Sequence, residues 1–538
     1  MLFAGAFSAA VYLVLAVTAH DWPQEVPSDL QVQAPVFVTP TNHCAFETRS
    51  NRVAIIGAGA AGSSAAFWIG KAKERYGVDV EIDVYDSNPY VGGRSTVVQP
   101  YDMFELEPVE LGGSVFVEVN KNLWRAVNEF GFELIPFENA SDVVGIWDGQ
   151  AFVVTYGGSG WYSGWLGKAK LLWKYGYHAI SKTQALVKEL SDTILTLYAP
   201  ATTRFKSISE LASNLDWDGI ASHTTADYLD SQGVNPAWTR EMVEAATRIN
   251  YGQNVDDIHA LEGFVSLAAA RPSSVKGGNF QIFERFLAHS KASLYLNTTV
   301  EAVSRASLSD PWVMRTTDDS EESKEYRAVI LAAPFHQTNI AFSSPEHPIA
   351  RVPKQPYVHL HVTILSTSAR YANSVYFNLS PVTPVPEMVL TTYNGVRKGG
   401  PAPEFNSLSY LTQLRYNNGT AYLNAQGNPE WIVKVFSYAP ISDDWLSRMF
   451  GGKVGWVLRK EWDAYPVLPP TTEFPPIKLA DGLYYVNAFE PLISTMETET
   501  IASRNIVDIM LREHFRSGLC RTHTLDAPLD TFVFGWDC

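Results

Sequence analysis

Short apolar runs and amphipathic stretches alternate along the chain, and the first of them form a strand–helix–strand pattern. Residues 53–56 (Val-Ala-Ile-Ile) are a continuous apolar run bounded by glycine, as in a strand buried on both faces of a parallel sheet. Ser63 to Arg75 has small residues at its start and charges at its end, which predicts a helix, and Val80 to Tyr85 predicts a second strand. Residues 53–86 are therefore expected to form a parallel unit with a right-handed crossover.

The rest of the chain divides into a mostly helical part and a mostly extended part. Residues 124–279 are aromatic-rich and helical in pattern, most clearly over 166–190 and 227–247. Residues 359–438 alternate apolar and polar positions in short runs, which predicts an antiparallel sheet. Further strands are predicted at 294–303, 328–333 and 482–487, and a last helix at 498–511.

The turn between the first strand and the first helix has the sequence Gly57-Ala58-Gly59-Ala60-Ala61-Gly62. In a dinucleotide site Gly57 permits the tight turn, Gly59 lets the backbone approach a pyrophosphate, and Gly62 allows close helix–strand packing. The helix N-terminus, with Ala60 and Ala61, adds positive potential for the phosphates. The strand before and the helix after make the match informative, although a glycine-rich turn in another α/β protein is the alternative.

Elements beyond this turn favour FAD over NAD. Asp86 ends the second strand, where a carboxylate can accept hydrogen bonds from a ribose and disfavours the extra phosphate of NADP. Gly92-Gly93-Arg94 follows, and an arginine at this point offers the phosphates a charge-assisted, bidentate contact. In the amine-oxidase-like branch of flavoproteins, which this extension resembles, Gly112-Gly113-Ser114 would bring a second glycine turn near the flavin; an unrelated glycine turn is the alternative.

Together these elements predict an α/β protein in which a Rossmann-like FAD-binding domain is interrupted by a discontinuous α+β substrate domain. The predicted divisions are 1–19 signal peptide, 20–50 leader, 51–120, 286–340 and 479–515 FAD-binding domain, 121–285 helical substrate domain, 341–478 β-rich substrate domain, and 516–538 C-terminal tail.

Composition narrows the range of partners. The formal net charge of −16 leaves no excess of Lys and Arg for phosphates, so no nucleic-acid partner is expected. The 12 histidines and three cysteines show no zinc spacing, so no metal is expected, and no hydrolase triad is legible. One disulfide can form at most; Cys520 with Cys538 is favoured, and Cys44 with either of them stays open.

The first 19 residues have the features of a signal peptide. An apolar run from Leu2 to Val17 precedes Thr18 and Ala19, which predicts cleavage after Ala19; an uncleaved anchor is the alternative. No later stretch reaches the roughly 18 consecutive apolar residues of a membrane span, so the mature chain is expected to be soluble or peripheral to a membrane. Secretion, or the lumen of a lysosome or vacuole, fits the four Asn-x-Ser/Thr sequons at Asn139, Asn297, Asn378 and Asn418.

The Gly-Gly-Arg extension resembles the amine-oxidase-like branch of flavoproteins. That resemblance implies backbone contact between Val300 and the adenine, and it places Ala333 at the end of the strand that follows. Glu490 and Met496 precede the final helix and are expected at the flavin, where backbone N–H groups can face its electron-rich end. For Glu490 and Glu497, a capping or solvated role is the alternative.

The order of the motifs resembles one family, the prenylcysteine oxidases (prenylcysteine lyases), over roughly residues 50–515. Besides the glycine motifs, the resemblance is carried by Leu172-Trp173-Lys174-Tyr175-Gly176, Arg248-Ile249-Asn250-Tyr251-Gly252-Gln253, Gly277-Gly278-Asn279, Lys434-Val435-Phe436-Ser437, Trp462-Asp463-Ala464-Tyr465-Pro466 and the stretch 483–505. The Arg248 and Trp462 stretches are the more selective ones. Thr495 and residues 498–500 (Thr-Glu-Thr) depart from the family's small-residue pattern.

The resemblance implies a reaction of S-prenylcysteine. FAD takes a hydride from the carbon that joins sulfur to the isoprenoid chain, water adds, and the product collapses to cysteine and a prenyl aldehyde. Molecular oxygen then reoxidises the flavin and yields hydrogen peroxide. The catalytic candidates on resemblance are Arg248, Asn250 and Tyr251, together with Glu490; bracing the domain junction is the alternative role for the first three.

An apolar substrate also needs an apolar slot. The aromatic stretch from Trp161 to Tyr177 is a candidate lining, against ordinary core packing. Two other functions stay open: an FAD-dependent oxidase or cyclase of a terpenoid or other apolar metabolite, and a non-catalytic lipid-binding flavoprotein. The FAD is expected to be noncovalent, because the histidines and cysteines lie outside the flavin motifs.

Overall fold

The fold was analysed in a computed structural model. It describes residues 50–136, 143–157, 161–202, 204–268, 272–318, 324–345, 348–520 and 531–538, without the side chains of 161–166 and 168. Residues 1–49 lie outside this part, and so do the signal peptide, the leader, Cys44 and the sequon at Asn139.

The described residues form strands and helices that alternate along most of the chain. The strands are β1 Arg52–Ile56, β2 Glu81–Tyr85, β3 Thr96–Val98, β4 Val109–Gly112, β5 Leu134–Pro136, β6 Val143–Trp147, β7 Phe152–Gly157, β8 Ser273–Val275, β9 Ser293–Tyr295, β10 Val300–Ser304, β11 Trp312–Thr316, β12 Glu325–Tyr326, β13 Ala328–Leu331, β14 Ala341–Ser343, β15 Tyr357–Thr367, β16 Met388–Thr391, β17 Ser407–Gln413, β18 Trp431–Ser437, β19 Val454–Pro466, β20 Lys478–Ala480 and β21 Leu483–Tyr485. The helices are α1 Ala60–Tyr76, α2 Lys121–Phe130, α3 Trp161–Tyr175, α4 Tyr177–Leu195, α5 Ile208–Asn214, α6 Asp218–Ala221, α7 Thr225–Ser231, α8 Glu244–Tyr251, α9 Ala260–Leu267, α10 Phe280–Ser290, α11 Asn394–Arg397, α12 Asp443–Phe450 and α13 Met496–Phe515.

A six-stranded sheet organises the dinucleotide-binding part. Its strand order is β20-β21-β13-β1-β2-β9, and β1 pairs in parallel with both β2 and β13. Helix α1 connects β1 to β2 and packs against α10 and α13. The predicted strand–helix–strand unit is therefore confirmed, and strands from distant parts of the sequence complete the sheet.

The second large sheet has seven strands in the order β19-β15-β18-β17-β16-β6-β7. Strands β15 to β18 confirm the extended pattern predicted for residues 359–438. Strands β6 and β7 come from the segment predicted as helical, and β6 pairs in parallel with β16. A short apolar run such as residues 143–147 has the same periodicity in a buried strand and in a helix, so the pattern did not show this hairpin.

Three of the predicted elements are divided. The helix predicted at 166–190 is two helices, because Gly176 adopts φ +83° between α3 and α4. The helix predicted at 227–247 consists of α7, a π-helical segment at Trp238–Val243, and α8. The strand predicted at 294–303 is β9 and β10 in two different sheets, and Asn297 at φ +53° separates them.

The C-terminal residues pack back onto α1. A disulfide joins Cys520 and Cys538, as predicted, with the two Cα atoms 5.5 Å apart. Arg75 on α1 donates to the carbonyl oxygens of Gly535 and Trp536 at 2.8 and 2.7 Å. Within the described residues, the end of the predicted tail is thus part of the packed structure.

Candidate active site

The first glycine turn has the geometry of a dinucleotide loop. A Cβ built on Gly57, at φ +109°, would lie 2.5 Å from the carbonyl oxygen of Ala332, and one on Gly62 would lie 1.8 Å from that of Gly57. At Gly59 the nearest protein atom to such a Cβ is 3.8 Å away. Gly57 and Gly62 are thus fixed by the fold itself. At Gly59 the absence of a side chain serves an approaching ligand rather than protein packing.

Asp86 holds this turn from the end of β2. One carboxylate oxygen accepts from the backbone N–H of Ala58 at 2.7 Å, and the other accepts from Asn88 N at 2.8 Å. The backbone N–H of Thr298, which precedes β10 and its first residue Val300, donates to the carbonyl oxygen of Asp86 at 2.9 Å. The predicted ribose and adenine contacts therefore lie on segments that meet at the open side of the turn.

Ala333 lies on the other side of the same turn. It follows β13, and its Cβ lies 3.6 Å from the position a Cβ would take on Gly57. The backbone N–H of Ala332 donates to the carbonyl oxygen of Ile56 at 2.8 Å, which fixes this strand end beside β1.

The β3–β4 hairpin brings the second pair of glycine motifs together. Thr96 pairs with Gly112, so a Cβ on Gly112 would lie 2.7 Å from the carbonyl oxygen of Arg94 and 2.7 Å from the Trp462 ring. A Cβ on Gly113, at φ +61°, would lie 3.1 Å from the sulfur of Met496. Arg94, the second glycine turn, Met496 and the Trp462 stretch therefore form one wall.

A buried ion pair crosses this wall. The Arg94 guanidinium forms an ion pair with the carboxylate of Glu490 and donates to the carbonyl oxygen of Ala464 at 3.0 Å. The same Glu490 carboxylate accepts a hydrogen bond from the Tyr357 hydroxyl. Burial opposes the charge of Arg94, but the Glu490 carboxylate outweighs it and raises the pKa of Arg94. Burial, with Glu490, raises the pKa of Tyr357 far above its usual value, so this phenol stays protonated.

Two more buried carboxyl groups lie near Glu490. Burial and the negative charge of Glu490 raise the pKa of Glu499 well above its usual value. Burial raises the pKa of Glu262 to about 8, although its carboxyl accepts hydrogen bonds from the Tyr251 hydroxyl and from Ser494 N, the latter at 3.2 Å. Several buried carboxyl groups share one arginine here, so burial and mutual repulsion keep some of these groups protonated.

Lys434 on β18 reaches the second glycine turn from the seven-stranded sheet. Its ammonium donates to the carbonyl oxygen of Glu110 at 2.9 Å and to the Ser114 hydroxyl at 3.1 Å. Burial lowers the pKa of Lys434 to about 8 and raises that of the Glu110 carboxyl to about 8. Asn279 fixes the same turn by donating from its side chain to the carbonyl oxygen of Gly113 at 2.8 Å.

Several buried polar atoms around this wall have no hydrogen-bond partner among the described residues. They are Ser95 Oγ, Glu110 Oε2, Glu262 Oε2, Trp462 Nε1, Asn487 Oδ1 and both carboxyl oxygens of Glu499. Native proteins leave few such atoms unsatisfied, and a group of them marks the place of a polar ligand. The site therefore fits a large cofactor with many donors and acceptors, which enters along the two glycine turns.

Sequence comparison agrees with this geometry. The sequence profile of the prenylcysteine lyase family matches residues 159–519, and that of the NAD(P)-binding Rossmann-like domain matches residues 55–130. The chain belongs to the prenylcysteine lyase family. The predicted family is thereby confirmed.

Among the relatives, the farnesylcysteine lyase of Arabidopsis thaliana is 30% identical over 477 residues, which cover 85% of this chain and 88% of the relative. Prenylcysteine oxidase 1 of Mus musculus is 29% identical over 474 residues, with coverages of 85% and 88%. Solved structures with the same fold include cyclohexylamine oxidase from Brevibacterium oxydans, at a TM-score of 0.53 and 15% identity, and putrescine oxidase bound to putrescine, at 0.55 and 14%. Each covers 86% of this chain and is itself covered to 99%, which confirms the predicted α/β fold.

Two of the catalytic candidates in this member of the prenylcysteine lyase family make bracing contacts. Buried Arg248 donates to Thr391 Oγ1 at 2.9 Å and to Asn254 Oδ1 at 2.7 Å, and it lies over the ring of Tyr393. Asn250 donates to the carbonyl oxygen of Ser266 at 3.1 Å. These contacts match the alternative role of joining α8 to its neighbours; contact of either residue with substrate stays a prediction.

Tyr251, in contrast, belongs to the acid cluster. Its hydroxyl bonds Glu262, and its ring packs edge-on against Tyr465, 5.6 Å between centroids. Glu497 has the capping role that was its alternative: its carboxylate accepts from the backbone N–H groups of Asn122 and Leu123 at 2.8 and 3.0 Å at the start of α2.

The aromatic stretch 161–177 does not form one buried lining. Tyr175 is buried and donates to Glu241, whereas Trp173 and Tyr177 are exposed to solvent. The side chains of Trp161, Tyr162 and Trp165 lie outside the described part of the structure. For Trp173 and Tyr177, the expected role in a substrate slot is wrong, because their helix surface faces outward.

One group of metal-type ligands was not visible in the sequence. His359 and His361 on β15 lie opposite Asp463 and Glu461 on β19. One ligand atom from each of His359, His361 and Glu461 lies within 4.8 Å of the other two, and His359 Nδ1 is 3.1 Å from Asp463 Oδ1. Hydrogen bonding between the strands accounts for the contact of His359 with Asp463. Strand pairing brings its members together, so the spacing of histidines could not show it.

Proposed function

We propose that this protein is an FAD-dependent oxidase that cleaves the thioether of S-prenylcysteine. Oxygen and water are consumed, and cysteine, a prenyl aldehyde and hydrogen peroxide are released in equal amounts. The observation that supports this most strongly is the group of unpartnered buried polar atoms near the second glycine turn and the Arg94–Glu490 pair, in a chain of the prenylcysteine lyase family. The relatives' names, farnesylcysteine lyase and prenylcysteine oxidase, supply the substrate class.

Residues of both sheets would hold the cofactor. The backbone at Gly59 admits the pyrophosphate, Asp86 faces the adenosine, and Ser114 with Lys434 borders the ring end of the site. When bound, FAD accepts a hydride from the carbon next to sulfur and passes the electrons to oxygen. Lys434 keeps its proton beside the second glycine turn, and its positive charge would stabilise negative charge that develops on a ligand bound there.

At the site the chain supplies apolar rings and phenols that keep their protons, rather than a strong base. Burial raises the pKa of Tyr465 to about 12 and that of Tyr251 well above its usual value, so both phenols stay neutral. The Trp462 ring lies against the second glycine turn, and Tyr465 on the same strand packs against Tyr251, so we infer an aromatic surface at this side of the site. Such a surface binds an isoprenoid chain and excludes water while the hydride leaves.

We infer that the FAD is noncovalent. In the described part of the chain, Cys520 and Cys538 are joined to each other. His259 adjoins the segment of Glu490, but one ring nitrogen contacts the carbonyl oxygen of Pro491 at 3.2 Å and the other accepts from Glu262 N at 3.2 Å. Acid precipitation should therefore release all the flavin into the supernatant; yellow colour that stays with the pellet would contradict this.

We also propose a lumenal or extracellular location, after signal cleavage at Ala19. The sequons at Asn297, Asn378 and Asn418 are exposed, as attachment of a glycan requires. N-terminal sequencing and enzymatic deglycosylation of the protein from its own host should show a chain that begins at His20 and loses mass. A chain that retains its first 19 residues and carries no glycan would contradict it.

The activity is tested by oxygen uptake and product analysis. S-farnesylcysteine and S-geranylgeranylcysteine should each yield hydrogen peroxide, free cysteine and the corresponding aldehyde in a ratio of one to one to one. Farnesol and farnesyl diphosphate, which lack the thioether, serve as matched controls. Turnover of the controls alone would indicate an oxidase or cyclase of apolar metabolites, and no turnover of any compound would indicate a non-catalytic flavoprotein.

A further inference from the structure

The corner between α3 and α4 exposes three large apolar side chains. Trp173 is 90% exposed, Tyr177 74% and Leu172 43%, on either side of Gly176. Tyr175 lies between them in sequence but is buried, with its hydroxyl 2.8 Å from Glu241. Tyr175 thus anchors the α3–α4 corner, defined here as residues 170–178, and packing of the core accounts for none of the three exposed side chains.

The shape of the corner is convex. A Cβ built on Gly176 would meet no protein atom within 4 Å, and the exposed side chains flank this glycine. A protein partner would need a complementary pocket, whereas a fluid interface adapts to a protruding aromatic tip.

The charge around the corner is opposite to that of the whole chain. Residues 149–188 contain no Asp or Glu and five Lys, in a chain with a formal net charge of −16. Lys174 pairs with Glu241 and Lys188 with Asp192, whereas Lys170 is exposed next to the aromatic tip. This local excess of positive charge is complementary to an anionic surface.

We propose that the α3–α4 corner docks on the surface of an anionic lipid bilayer. Trp173, Tyr177 and Leu172 insert at the level of the headgroups, where amphipathic aromatic rings are favoured, and the neighbouring lysines contact anionic lipids. Within the part of the chain that the structure describes, no helix has the length and apolar character needed to cross a membrane. The attachment is accordingly peripheral.

The proposal extends the proposed function by naming the source of the substrate. An S-prenylcysteine carries a long apolar chain and partitions into bilayers, so a docked enzyme would meet it there. Only this identity of the substrate rests on the proposed function. The docking itself follows from the exposed side chains and the local charge.

The test is flotation of the purified, flavin-loaded protein with lipid vesicles. We expect binding to phosphatidylcholine vesicles that contain about 30% phosphatidylserine, and weaker binding when salt screens the lysines. The double variant Trp173→Ser/Tyr177→Ser should bind about tenfold more weakly or worse, and Lys170→Glu should also weaken binding. Phe104→Ser is the matched control, because Phe104 is 83% exposed outside the corner.

Each result decides the proposal. No binding to anionic vesicles, unchanged binding of the double variant, or an equal loss in Phe104→Ser would overturn it. Equal binding to pure phosphatidylcholine that salt does not weaken would overturn the role of the anionic lipid. Oxidation of detergent-solubilised S-farnesylcysteine should be unchanged in the double variant. A protein that binds vesicles but oxidises no prenylcysteine would retain the docking and refute the proposed function.

Discussion

Gly59 and Gly62 belong to one turn but differ in what a side chain would meet. At Gly59, at φ −79°, an added methyl group has no protein atom closer than 3.8 Å, whereas at Gly62 it would overlap the carbonyl of Gly57. We expect Gly59→Ala to leave the melting temperature of the flavin-free protein nearly unchanged and to weaken FAD binding about tenfold or more, because the methyl group stands where the pyrophosphate approaches. Flavin fluorescence titration measures the affinity.

Gly62→Ala is the matched control at the same turn. It should lower the melting temperature of the flavin-free protein, since helix α1 must shift away from β1. Equal stability losses in the two variants, with unchanged FAD affinity in Gly59→Ala, would contradict this distinction.

The Arg94–Glu490–Tyr357 group supports a second prediction. Glu490→Gln removes the charge that compensates half-buried Arg94 and should lower the free energy of unfolding by about 2 kcal/mol, less than for a fully buried pair because solvent screens Arg94. Tyr357→Phe removes one hydrogen bond to a carboxylate and should cost about 1.5 kcal/mol. Because Tyr357 acts through the Glu490 charge, the double variant should cost less than the two losses combined. Urea denaturation measures all three, and simple additivity would contradict the network.

At this scale the sequence shows the local motifs but not the partners across the fold. Gly57 to Gly62 lie in one turn, so their spacing was sufficient to predict the geometry of that turn. Lys434 meets Glu110 because β18 lies beside the β3–β4 hairpin, and the charges of Glu490 and Arg94 act on Glu499 because α13 packs beside the segments that carry them. Arg248 shows the reverse case. Its sequence stretch is selective for the family, but its side chain makes contacts that brace the fold.

Helix α13 begins at the candidate site, since its first residue, Met496, lies beside the second glycine turn. Thr495 is its N-cap: the Thr495 side chain accepts from Thr498 N at 3.0 Å, and the Thr498 side chain accepts from Thr495 N at 3.1 Å. This capping box gives the threonines at positions 495 and 498 a structural role at the start of α13.

A third prediction follows for this cap. Thr495→Ala should cost about 1 kcal/mol in the free energy of unfolding and should also weaken FAD binding, because the first turn of α13 carries Met496. Thr224→Ala removes the equivalent cap of α7 and is the matched control, with a similar cost in stability and unchanged FAD affinity. Loss of affinity in both variants, or in neither, would contradict the link between the cap and the site.

Elements with strong periodicity were predicted well, and their interruptions were not. Residues 53–56 of β1 are uniformly apolar, and α1 begins with small residues and ends with charged ones, as the sequence pattern predicted. The breaks at Gly176 and Asn297 depend on single residues at positive φ, which periodicity averages over. Strands β6 and β7 are stabilised by pairing with β16, a contact that no local pattern contains.

Over the whole molecule, buried acids make stability depend on pH. Burial raises the pKa of Glu262 from 4.5 to about 8 in the folded protein. Between these values the folded state holds a proton that the unfolded state has lost. The contribution of Glu262 is therefore complete below pH 4.5 and is lost as the pH rises toward 8, with a slope of up to about 1.4 kcal/mol per pH unit.

The fourth prediction is that Glu262→Gln flattens this part of the pH profile of the unfolding free energy between pH 5 and 8. The amide is isosteric, can still accept from Tyr251, and does not titrate. Glu118→Gln, which removes an exposed carboxylate, should leave the profile unchanged. A wild-type profile that rises toward pH 8, or one that Glu262→Gln does not alter, would contradict the assignment.

The six-stranded sheet shows that no single segment of the chain forms the candidate site alone. Its strands come from four separate stretches of sequence, and the seven-stranded sheet adds Tyr357 and Lys434. The discontinuous plan could be predicted, because each stretch carries its own strand pattern. The packing of α9 and α13, which buries Glu262 and Glu499, could not.

Anaerobic mixing of the purified protein with S-farnesylcysteine tests the central claim most directly. The account predicts that the isolated protein has the visible absorption spectrum of oxidised flavin, that this absorption bleaches under nitrogen on addition of the thioether, and that it returns when oxygen is admitted. An absorption spectrum that keeps its oxidised form under nitrogen with S-farnesylcysteine would contradict the account.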